Sequence, residues 1–481
     1  MSLLSQIGYS GVRATQVALT ATGQNVANIN TPGYSRLSVD MVSLSGHNAM
    51  SAGRGVEVSN IRRIADDFVN RQLWRATSDH GYNETRTQYL DALESLMASE
   101  GSNISGGLDN FYAALSEATS TPDSIALRQQ ILNEAKALAT RVNGLSNNIE
   151  TQLNGLRGQR EAIVVELNGL TENIALLNKR ITYVEASNGD AKALRDQRDA
   201  LVKDLAELVD ARVVEAADGS FSLSLANGQP LVAGPTAAKV VLTTVAGNEQ
   251  NFELNFAGTS FPMARDGWGG KLGGLHEAEY NSLRKTQETV SEIAKGIAGI
   301  FNGVMAGRDA ENKNDVTVDA FGNTLTQAWG INGTATPWPN PNQALFKYDP
   351  DSISQVLTIN DLKPEDLAFS SNQNEPGNND KLLLLLTMKG APVSVGGTTN
   401  TLNDAYATLL GGVASASRQS QADTETSKSV LGQAQSQRDS ISAVNMDEEG
   451  VNLMNYQQAY QANLKVITTA NTLFDSVLGM F

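Results

Sequence analysis

The chain has 481 residues, of which 41% are hydrophobic and 18% are charged, and its formal net charge is −16. A chain of this length forms more than one hydrophobic core, and its acidic surface repels the phosphates of nucleic acids and anionic lipid headgroups. The absence of cysteine excludes disulfides, thiol catalysis and thiolate metal sites.

The low charge content is balanced by Gln, Asn, Ser, Thr and Ala, which indicates packed surfaces that are polar but uncharged. The sequence has no run of about 18 consecutive apolar residues, so we expect no membrane span. Segment 1–29 lacks the basic start, apolar run and cleavage site of a signal peptide. A secreted chain of this kind would therefore need another export route.

The N-terminal segment has the pattern of an amphipathic helix. Apolar and small residues recur at spacings of three and four, at Leu4, Ile7, Gly11, Ala14, Ala18 and Ala21. Pro32 and Gly33 predict a turn after this helix. The only charged residues in 1–39 are Arg13 and Arg36. A solvated helix face normally carries charge, so this helix is expected to pack on more than one side.

Segment 124–208 predicts a long helical rod. Large apolar residues keep one pattern of spacings three and four from Ile131 to Val184, which is typical of a coiled coil. Glycines within this run each weaken a helix by about 1 kcal/mol relative to alanine, so we expect the rod to pack against other helices. Asn188-Gly189 predicts a break, followed by a second helix to about Val209.

The period of the pattern changes to two after the rod. Apolar and small polar residues alternate over 221–225, and Asn227-Gly228 is a hairpin turn signal. We therefore predict a β domain over 213–275. A helical pattern returns over 276–307, and the Asn-, Pro- and Gly-rich segment 309–377 is predicted to be a second, mainly β or irregular insert.

The sequence is helical again from Leu402 to the end, and the last helix carries two neighbouring apolar stripes. The first stripe consists of Leu453, Tyr460, Leu464, Ile467, Phe474 and Leu478. The second stripe consists of Tyr456, Ala459, Val466, Ala470, Leu473 and Val477. Lys465 is the only charged residue between Glu449 and Asp475. The acidic run 447–449 favours helix capping over an acid–base site, because negative charge stabilises a helix N-terminus.

These patterns predict a multidomain α+β fold. We expect a long α-helical coiled-coil rod, built from the N- and C-terminal parts of the chain, with mainly β inserted outer domains. The predicted domains are a terminal helical core at 1–45 and 440–481, a helical rod domain at 46–212, 276–308 and 378–439, and β-rich outer domains at 213–275 and 309–377. The terminal core is expected to be disordered in the monomer and ordered in an assembly.

The residues that could support chemistry do not form a recognisable site. The three histidines, His47, His80 and His276, do not pair at metal-ligand spacing. His276-Glu277 begins the zinc-protease pattern, but Tyr280 stands where the second histidine belongs. The Gly-rich segment 267–271 fails the phosphate-loop and dinucleotide patterns at Leu272, so we interpret it as a turn before a helix. We expect no catalytic site, no metal and no cofactor.

Segment 27–35, Ala-Asn-Ile-Asn-Thr-Pro-Gly-Tyr-Ser, resembles the N-terminal signature shared by bacterial flagellar rod, hook and hook-associated axial proteins. Segments 196–199, 227–232, 271–275 and especially 442–478 are similar to corresponding parts of the hook-associated protein 1 family. The chain departs from that family at Gly450, where the family usually has alanine, and at 276–278. Little resemblance is visible over 309–400.

The resemblance implies a structural subunit of the hook–filament junction that self-assembles through its terminal helices after type III export. It implies contacts with other copies of the chain in a ring-like layer, with the hook protein and with a second junction protein. A dedicated export chaperone would bind the C-terminal region. The implied location is the distal end of the extracellular hook, after a cytoplasmic stage, with no nucleic-acid partner and no membrane insertion.

The candidate assembly residues follow from the two helical patterns and the signature segment. The N-terminal set is Leu4, Ile7, Ala14, Ala18, Ala21, Asn28, Asn30, Thr31, Pro32, Gly33 and Tyr34. The C-terminal set, which assembly and the chaperone would share, is Leu453, Tyr456, Tyr460, Leu464, Ile467, Leu473, Phe474 and Leu478.

Two other interpretations stay open at this stage. Another axial protein, such as a hook, distal rod or flagellin subunit, would share the N-terminal signature, although the long rod and segment 456–478 favour the junction protein. A secreted adhesin that presents its β inserts is an alternative from another class. An enzyme is the third and weakest alternative, because no site survives inspection.

Overall fold

The computed structural model describes residues 3–45, 53–245, 249–263, 267–305, 344–367, 369–370, 375 and 377–480. His47 and segment 309–343 of the predicted second insert lie outside the described residues.

The described residues form long helices and small antiparallel sheets, which confirms the multidomain α+β class. The helices are α1 Leu3–Ala27, α2 Asp67–Ala98, α3 Ile104–Ala118, α4 Ile125–Ala186, α5 Lys192–Leu208, α6 Gly270–Glu277, α7 Arg284–Met305, α8 Asp380–Thr387, α9 Leu402–Ser442 and α10 Met446–Leu478. The strands are β1 Leu37–Leu44, β2 Gly55–Arg63, β3 Ala211–Glu215, β4 Phe221–Leu225, β5 Pro230–Ala233, β6 Thr236–Ala237, β7 Lys239–Val245, β8 Glu249–Phe256, β9 Thr259–Pro262, β10 Phe346–Tyr348, β11 Leu357–Ile359, β12 Val393–Val395 and β13 Thr398–Asn400.

Helix α4 is a single helix of 62 residues. Its predicted apolar pattern is buried, from Ile131 through Leu156 to Ile181. Added Cβ atoms at Gly144 and Gly169 would meet nothing within 4 Å, so these glycines are tolerated without being needed for close packing. The helix ends where predicted, because Asn188 adopts a φ of 55°.

The chain divides into two compact units, and the first contains residues 1–82, 163–273 and 425–481. Its sheets have the orders β1-β2, β3-β4-β5-β6 and β7-β8-β9. The predicted Asn227-Gly228 turn joins β4 to β5, with Gly228 at a φ of 87°. Leu73, Ala76 and Ala434 form a small core where α2 meets α9.

The second unit contains residues 83–162 and 274–424. Its apolar centre includes Phe111, Phe301 and Phe346, whose ring centroids lie 4.8 to 5.8 Å apart. Its sheets are the two-stranded pairs β10-β11 and β12-β13. The pair β12-β13 lies within segment 378–439, where the sequence pattern indicated helix.

Uncharged polar side chains pack between α2 and α9 in the second unit. The Thr87 hydroxyl lies 2.6 Å from the Ser420 hydroxyl and 2.7 Å from the Thr424 hydroxyl. Ser417, also fully buried, donates a 2.7 Å hydrogen bond to Asp91. Small polar residues can pack between these helices because each hydroxyl finds a hydrogen-bond partner there.

A π-helical turn at Ala278–Leu283 joins α6 to α7 in the second unit. Glu279 lies in this turn, is almost fully buried, and pairs with the equally buried Arg160 and with Arg284. A buried carboxylate needs such partners because desolvation otherwise disfavours its charge. The turn therefore belongs to the packing of this unit.

Candidate assembly surface

Helices α1 and α10 pack against each other in antiparallel directions in the first unit. Gly8 of α1 lies against Ile467, and Gly11 lies against Asn463. A Cβ added at Gly8 would come 2.8 Å from Ile467 Cγ1, and one at Gly11 would come 2.4 Å from Asn463 Oδ1. Both distances are shorter than van der Waals contact, so the two backbones approach closely only because these residues are glycine.

The face of α1 toward its neighbours consists of small residues. The buried positions are Ser5, Gly8, Gly11, Ala14, Thr15, Ala18, Ala21, Thr22 and Asn25. On α10, the residues on the facing side are half-buried or buried, at Tyr456, Ala459, Asn463, Val466 and Ala470. Helix α1 therefore covers much of the second stripe.

Most of the first stripe of α10 stays exposed in the single chain. Leu453 is 43% exposed, Leu464 41%, Phe474 57% and Leu478 58%. Residues 471–480 are all exposed, including Leu473 and Val477 at the end of the second stripe. Contiguous large apolar side chains on a surface indicate an interaction site, so α10 offers one covered and one open apolar face.

Helix α1 also carries exposed apolar side chains near its N-terminus. Leu3, Leu4 and Tyr9 are all exposed. Leu4 lines a shallow groove of about 550 Å³ together with α10 residues that include Gln458, Gln461 and Lys465. The groove thus combines apolar side chains with neutral amides and one charged residue, Lys465.

The signature segment 27–35 is held by several other elements of the first unit. Arg438 on α9 donates hydrogen bonds of 2.8 and 3.0 Å to the carbonyls of Gly33 and Tyr34. The Ser35 amide donates a 3.2 Å hydrogen bond to Asp196 on α5. Asn30, Thr31 and Pro32 stay exposed on the other side of the loop. The loop is therefore a junction between the terminal helices and α5, with one free side.

Asn25 at the end of α1 fixes this loop from inside. Its side-chain nitrogen donates a 2.9 Å hydrogen bond to the Leu37 carbonyl. Its Oδ1 accepts hydrogen bonds from the Leu37 amide at 2.8 Å and from the Tyr34 hydroxyl at 2.9 Å. Burial, with the nearby charges of Asp196 and Glu449, raises the pKa of Tyr34 to about 12. The neutral phenol is thus the form that the fold requires.

The resemblance segment 196–199 supplies a buried charge cluster behind the loop. Arg63, at the end of β2, pairs with Asp196 at 3.1 Å and also with Asp199. Burial raises the pKa of both carboxyl groups, and the Arg63 charge opposes this rise. Arg198 is fully buried, its guanidinium lies 3.3 Å from the Phe221 ring centroid, and desolvation lowers its pKa to about 10.

Helix α10 begins at the acidic run, as predicted, but its capping side chain is Asn445, which precedes that run. Asn445 accepts hydrogen bonds from the amides of Asp447 and Glu448 at 2.9 and 3.4 Å. Glu448 also pairs with Arg36 at 2.9 Å, and the Arg36 amide donates to the Ser442 carbonyl. The start of α10 is thereby attached to the chain that follows the signature loop.

The structure gives the following places to the candidate assembly residues. Ala14, Ala18 and Ala21 are buried; Ile7, Asn28, Gly33 and Tyr34 are half-buried; Leu4, Asn30, Thr31 and Pro32 are exposed. In α10, Tyr456, Tyr460 and Ile467 are half-buried, and Leu453, Leu464, Leu473, Phe474 and Leu478 are exposed. Sequence reasoning missed Gly8, Asn25 and Asn463, because their roles depend on partners far away in the chain.

The segments that were tested for metal and phosphate chemistry have the following geometry in the described part of the chain. Among the described residues, no group of His, Asp and Glu side chains is arranged to hold a metal ion. The ring of His276 lies 4.7 Å from that of Tyr280. Gly269 and Gly270 adopt φ values of 58° and 53° at the start of α6, as expected for a turn before a helix. Within the described ranges, no helix has the length and apolar character of a membrane span.

Comparison with known families supports the resemblance along the chain. The model of the flagellar hook-associated protein FlgK helical domain matches residues 90–317. The model of the C-terminal region of flagellar basal body rod FlgEFG proteins matches residues 435–480. The second match covers all of α10 and the end of α9, and α10 contains the candidate C-terminal surface.

Curated relatives align over the whole chain. Flagellar hook-associated protein 1 of Salmonella typhimurium is 28% identical over 563 residues, covering 100% of both chains. The protein of that name from Escherichia coli K12 is 27% identical over 567 residues, again with full coverage of both. That of Bacillus subtilis is 25% identical over 494 residues, covering 97% of this chain and 96% of its own.

A solved structure has the same fold. The flagellar hook junction protein FlgK from Burkholderia pseudomallei superposes with a TM-score of 0.62 at 15% identity, over 77% of this chain and 100% of that one. The full-length relatives, the two family models and the shared fold agree with the signature segments. The chain is therefore similar, over its whole length, to proteins named flagellar hook-associated protein 1.

Proposed function

We propose that this chain is a structural subunit of the bacterial flagellum that forms the junction between hook and filament, and that its terminal helices drive assembly. The proposal that the terminal helices drive assembly rests on the open apolar face of α10. In a single chain, α1 covers one stripe and leaves Leu453, Leu464 and Phe474 exposed. A surface of this kind is stabilised by burial against other subunits.

The free energy of assembly would come from this burial. Each large apolar side chain that becomes fully buried contributes about 1.5–3 kcal/mol, less the entropy of ordering it. The half-exposed side chains of the first stripe can gain only about half of this amount each. Several of them acting together are therefore needed to hold one subunit in place, which fits a long stripe better than a local patch.

The nearly uncharged surface supports the same proposal. Lys465 is the only charged residue along α10 between Glu449 and Asp475. Burying an unpaired charge costs several kcal/mol, whereas amides such as Gln458 and Gln461 can pair with amides of a neighbouring copy. A ring-like layer of identical subunits would bring such surfaces together in every contact.

The individual partners are proposed from the similarity to flagellar hook-associated protein 1. Besides other copies of the chain, we infer contacts with the hook protein on one side and with the second junction protein on the other. A dedicated export chaperone would cover the exposed face of α10 in the cytoplasm before type III export. We also propose that the terminal pair at 1–45 and 440–481 becomes ordered on assembly, that the β-rich segments face outward, and that the chain has no enzymatic activity.

The substitution Leu464→Asp tests the assembly face. Leu464 is exposed, so the aspartate places a charge on the open face while leaving the intrachain contacts of Gly8 with Ile467 intact. Ile467→Asp is the less specific change, because Ile467 packs on α1. We expect Leu464→Asp to be exported into the medium in normal amounts but to be absent from isolated hooks, with loss of motility.

The matched control is Val165→Asp on α4, which changes an equally apolar, exposed residue outside the terminal pair. We expect the control to support motility. Normal swimming of the Leu464→Asp strain, with the variant protein present in its hooks, would contradict the proposal.

A further inference from the structure

Five asparagine side chains on helices make the same pair of hydrogen bonds to five strand residues. In each case the side-chain amide donates to the carbonyl of a strand residue and accepts from the amide of that same residue. The pairs are Asn25 with Leu37, Asn143 with Leu357, Asn168 with Val240, Asn178 with Phe221 and Asn302 with Phe346. All ten donor–acceptor distances lie between 2.7 and 3.0 Å.

This geometry copies the pairing of neighbouring antiparallel strands. A residue in such a ladder directs its N–H and C=O to the same side, and its partner residue returns one acceptor and one donor. An asparagine side chain carries the same acceptor and donor on one planar group. Each asparagine therefore occupies the place of one residue of a missing strand.

Four of the five pairs lie at an open edge of a sheet. Among the described strands, β7 pairs only with β8, and Asn168 bonds Val240 on the other side of β7. The sheet β10-β11 contains two of the described strands, and Asn302 bonds Phe346 on one outer edge while Asn143 bonds Leu357 on the other. Leu37 is on β1, and Asn25 bonds it on the side of β1 that faces away from β2.

The fifth pair continues a ladder where a strand ends. The pairing of β4 with β5 runs to Ser222 and Ala233, and Asn178 then bonds Phe221 and also donates 2.8 Å to the Gly234 carbonyl. Asn178 thus takes over the ladder at the end of β5. Two of the asparagines, Asn25 and Asn178, are at most 1% exposed.

Helix propensity gives no reason for these residues. Asparagine in a helix interior is about 0.7 kcal/mol less favourable than alanine, and Asn143, Asn168 and Asn178 all lie well inside α4. An unpaired strand edge, in contrast, is a template for pairing with another chain. This hazard grows in a protein that must pack beside many copies of itself.

We infer that these five asparagines are edge covers, each of which closes the strand position that it bonds to pairing with a strand of a second copy. This inference does not depend on the junction role, since it concerns the isolated chain as well as an assembly.

The first test is hydrogen exchange of the full-length chain, followed by mass spectrometry on a peptide that contains Val240. In the unmodified chain the Val240 amide should be protected even though it lies on an edge strand. In the Asn168→Ala variant, the Val240 amide should exchange about tenfold faster than in the parent. This factor corresponds to the loss of one hydrogen bond of ~1.4 kcal/mol. Asn173→Ala, at an exposed position of the same helix, should leave the rate unchanged.

Asn168→Asp is the second variant, which keeps the size of the side chain and the acceptor for the Val240 amide. It replaces the donor with an oxygen that faces the Val240 carbonyl, so it should raise exchange at least as much as the alanine variant. Exchange of Val240 in the unmodified chain at the rate of an unprotected amide would overturn the inference without any variant. The inference would also be overturned if the Val240 amide exchanged at the same rate in the two Asn168 variants as in the parent.

The second test concerns pairing between copies. The double variant Asn143→Ala/Asn168→Ala opens one edge in each unit and should form thioflavin-binding, β-rich aggregates faster than the parent and the Asn173→Ala control. If the double variant exchanges faster at Val240 but stays as monomeric as the parent, the asparagines are simple packing contacts and the edge-cover inference is wrong.

Discussion

Gly11→Ala tests the close approach of α1 and α10 with a single added carbon atom. The new Cβ would lie 2.4 to 2.7 Å from three side-chain atoms of Asn463. Asn463 would have to turn away, and its 2.9 Å hydrogen bond to the Ala459 carbonyl would be lost or distorted. The matched control is Gly23→Ala in the same helix, where the added carbon would meet nothing within 4 Å.

Two opposing effects set the size of the stability change caused by Gly11→Ala. Overpacking a close contact costs about 1–3 kcal/mol. Replacing glycine by alanine inside a helix returns up to ~1 kcal/mol. Gly11→Ala should therefore destabilise the helix pair by as much as ~2 kcal/mol, whereas Gly23→Ala should stabilise α1 by as much as ~1 kcal/mol. The propensity gain is common to both variants, so their difference of ~1–3 kcal/mol reports the contact with Asn463.

The assay is competition for incorporation. The parent and one variant, with different epitope tags, are expressed together, and the ratio of the tags is measured in isolated hooks and in the medium. We expect the ratio in hooks to be at least about fivefold lower for Gly11→Ala than for Gly23→Ala, which corresponds to ~1 kcal/mol. Equal incorporation of the two variants would refute the close packing of α1 on α10.

Two further predictions concern the junction behind the signature loop. The raised pKa of Tyr34 means that its stabilising contribution is complete below pH 10 and is lost as the pH rises through about 12. The difference in ultraviolet absorbance between the parent chain and its Tyr34→Phe variant should therefore change with a midpoint near pH 12. A midpoint near pH 10 would contradict the buried contact of Tyr34 with Asn25. Asp199→Ala leaves the half-buried Arg63 with only Asp196, so the free energy of unfolding in urea should fall by about 1.5 kcal/mol, the contribution of one hydrogen bond between charged groups. Glu166→Ala, at an exposed site, is its control, and equal losses in the two variants would show that the Asp199 pair contributes nothing.

The helices could be predicted well because their signals are local. The apolar spacing of α4, the break at Asn188-Gly189 and the Asn227-Gly228 turn each depend on residues within a few positions of one another. The structure places all three as expected. The same holds for the start of α10, where Asn445 caps a helix that begins with an acidic run.

The pairing of the strands could not be predicted in the same way. The turn at Pro32-Gly33 was expected, but the pairing of β1 with β2 after it depends on contacts between residues that are distant in sequence. Gly55, at a φ of 115°, lies so close to Ser10 of α1 that a side chain would clash. No pattern within residues 37–63 reveals this partner.

The candidate surface was only partly accessible to sequence reasoning. The spacing of apolar residues predicted the two stripes of α10. The spacing alone does not determine which of the two stripes α1 covers. That choice is made by Gly8 and Gly11, which let α1 approach the side of α10 that carries Asn463. The prediction that these residues assemble with other copies remains a prediction.

The central claim is that this chain is located where the hook meets the filament. The most direct measurement is antibody-gold labelling of intact flagella from the source bacterium, viewed by electron microscopy. The account predicts a single narrow band of gold at the hook–filament boundary. Labelling along the whole hook or filament, or no labelling of flagella at all, would contradict it.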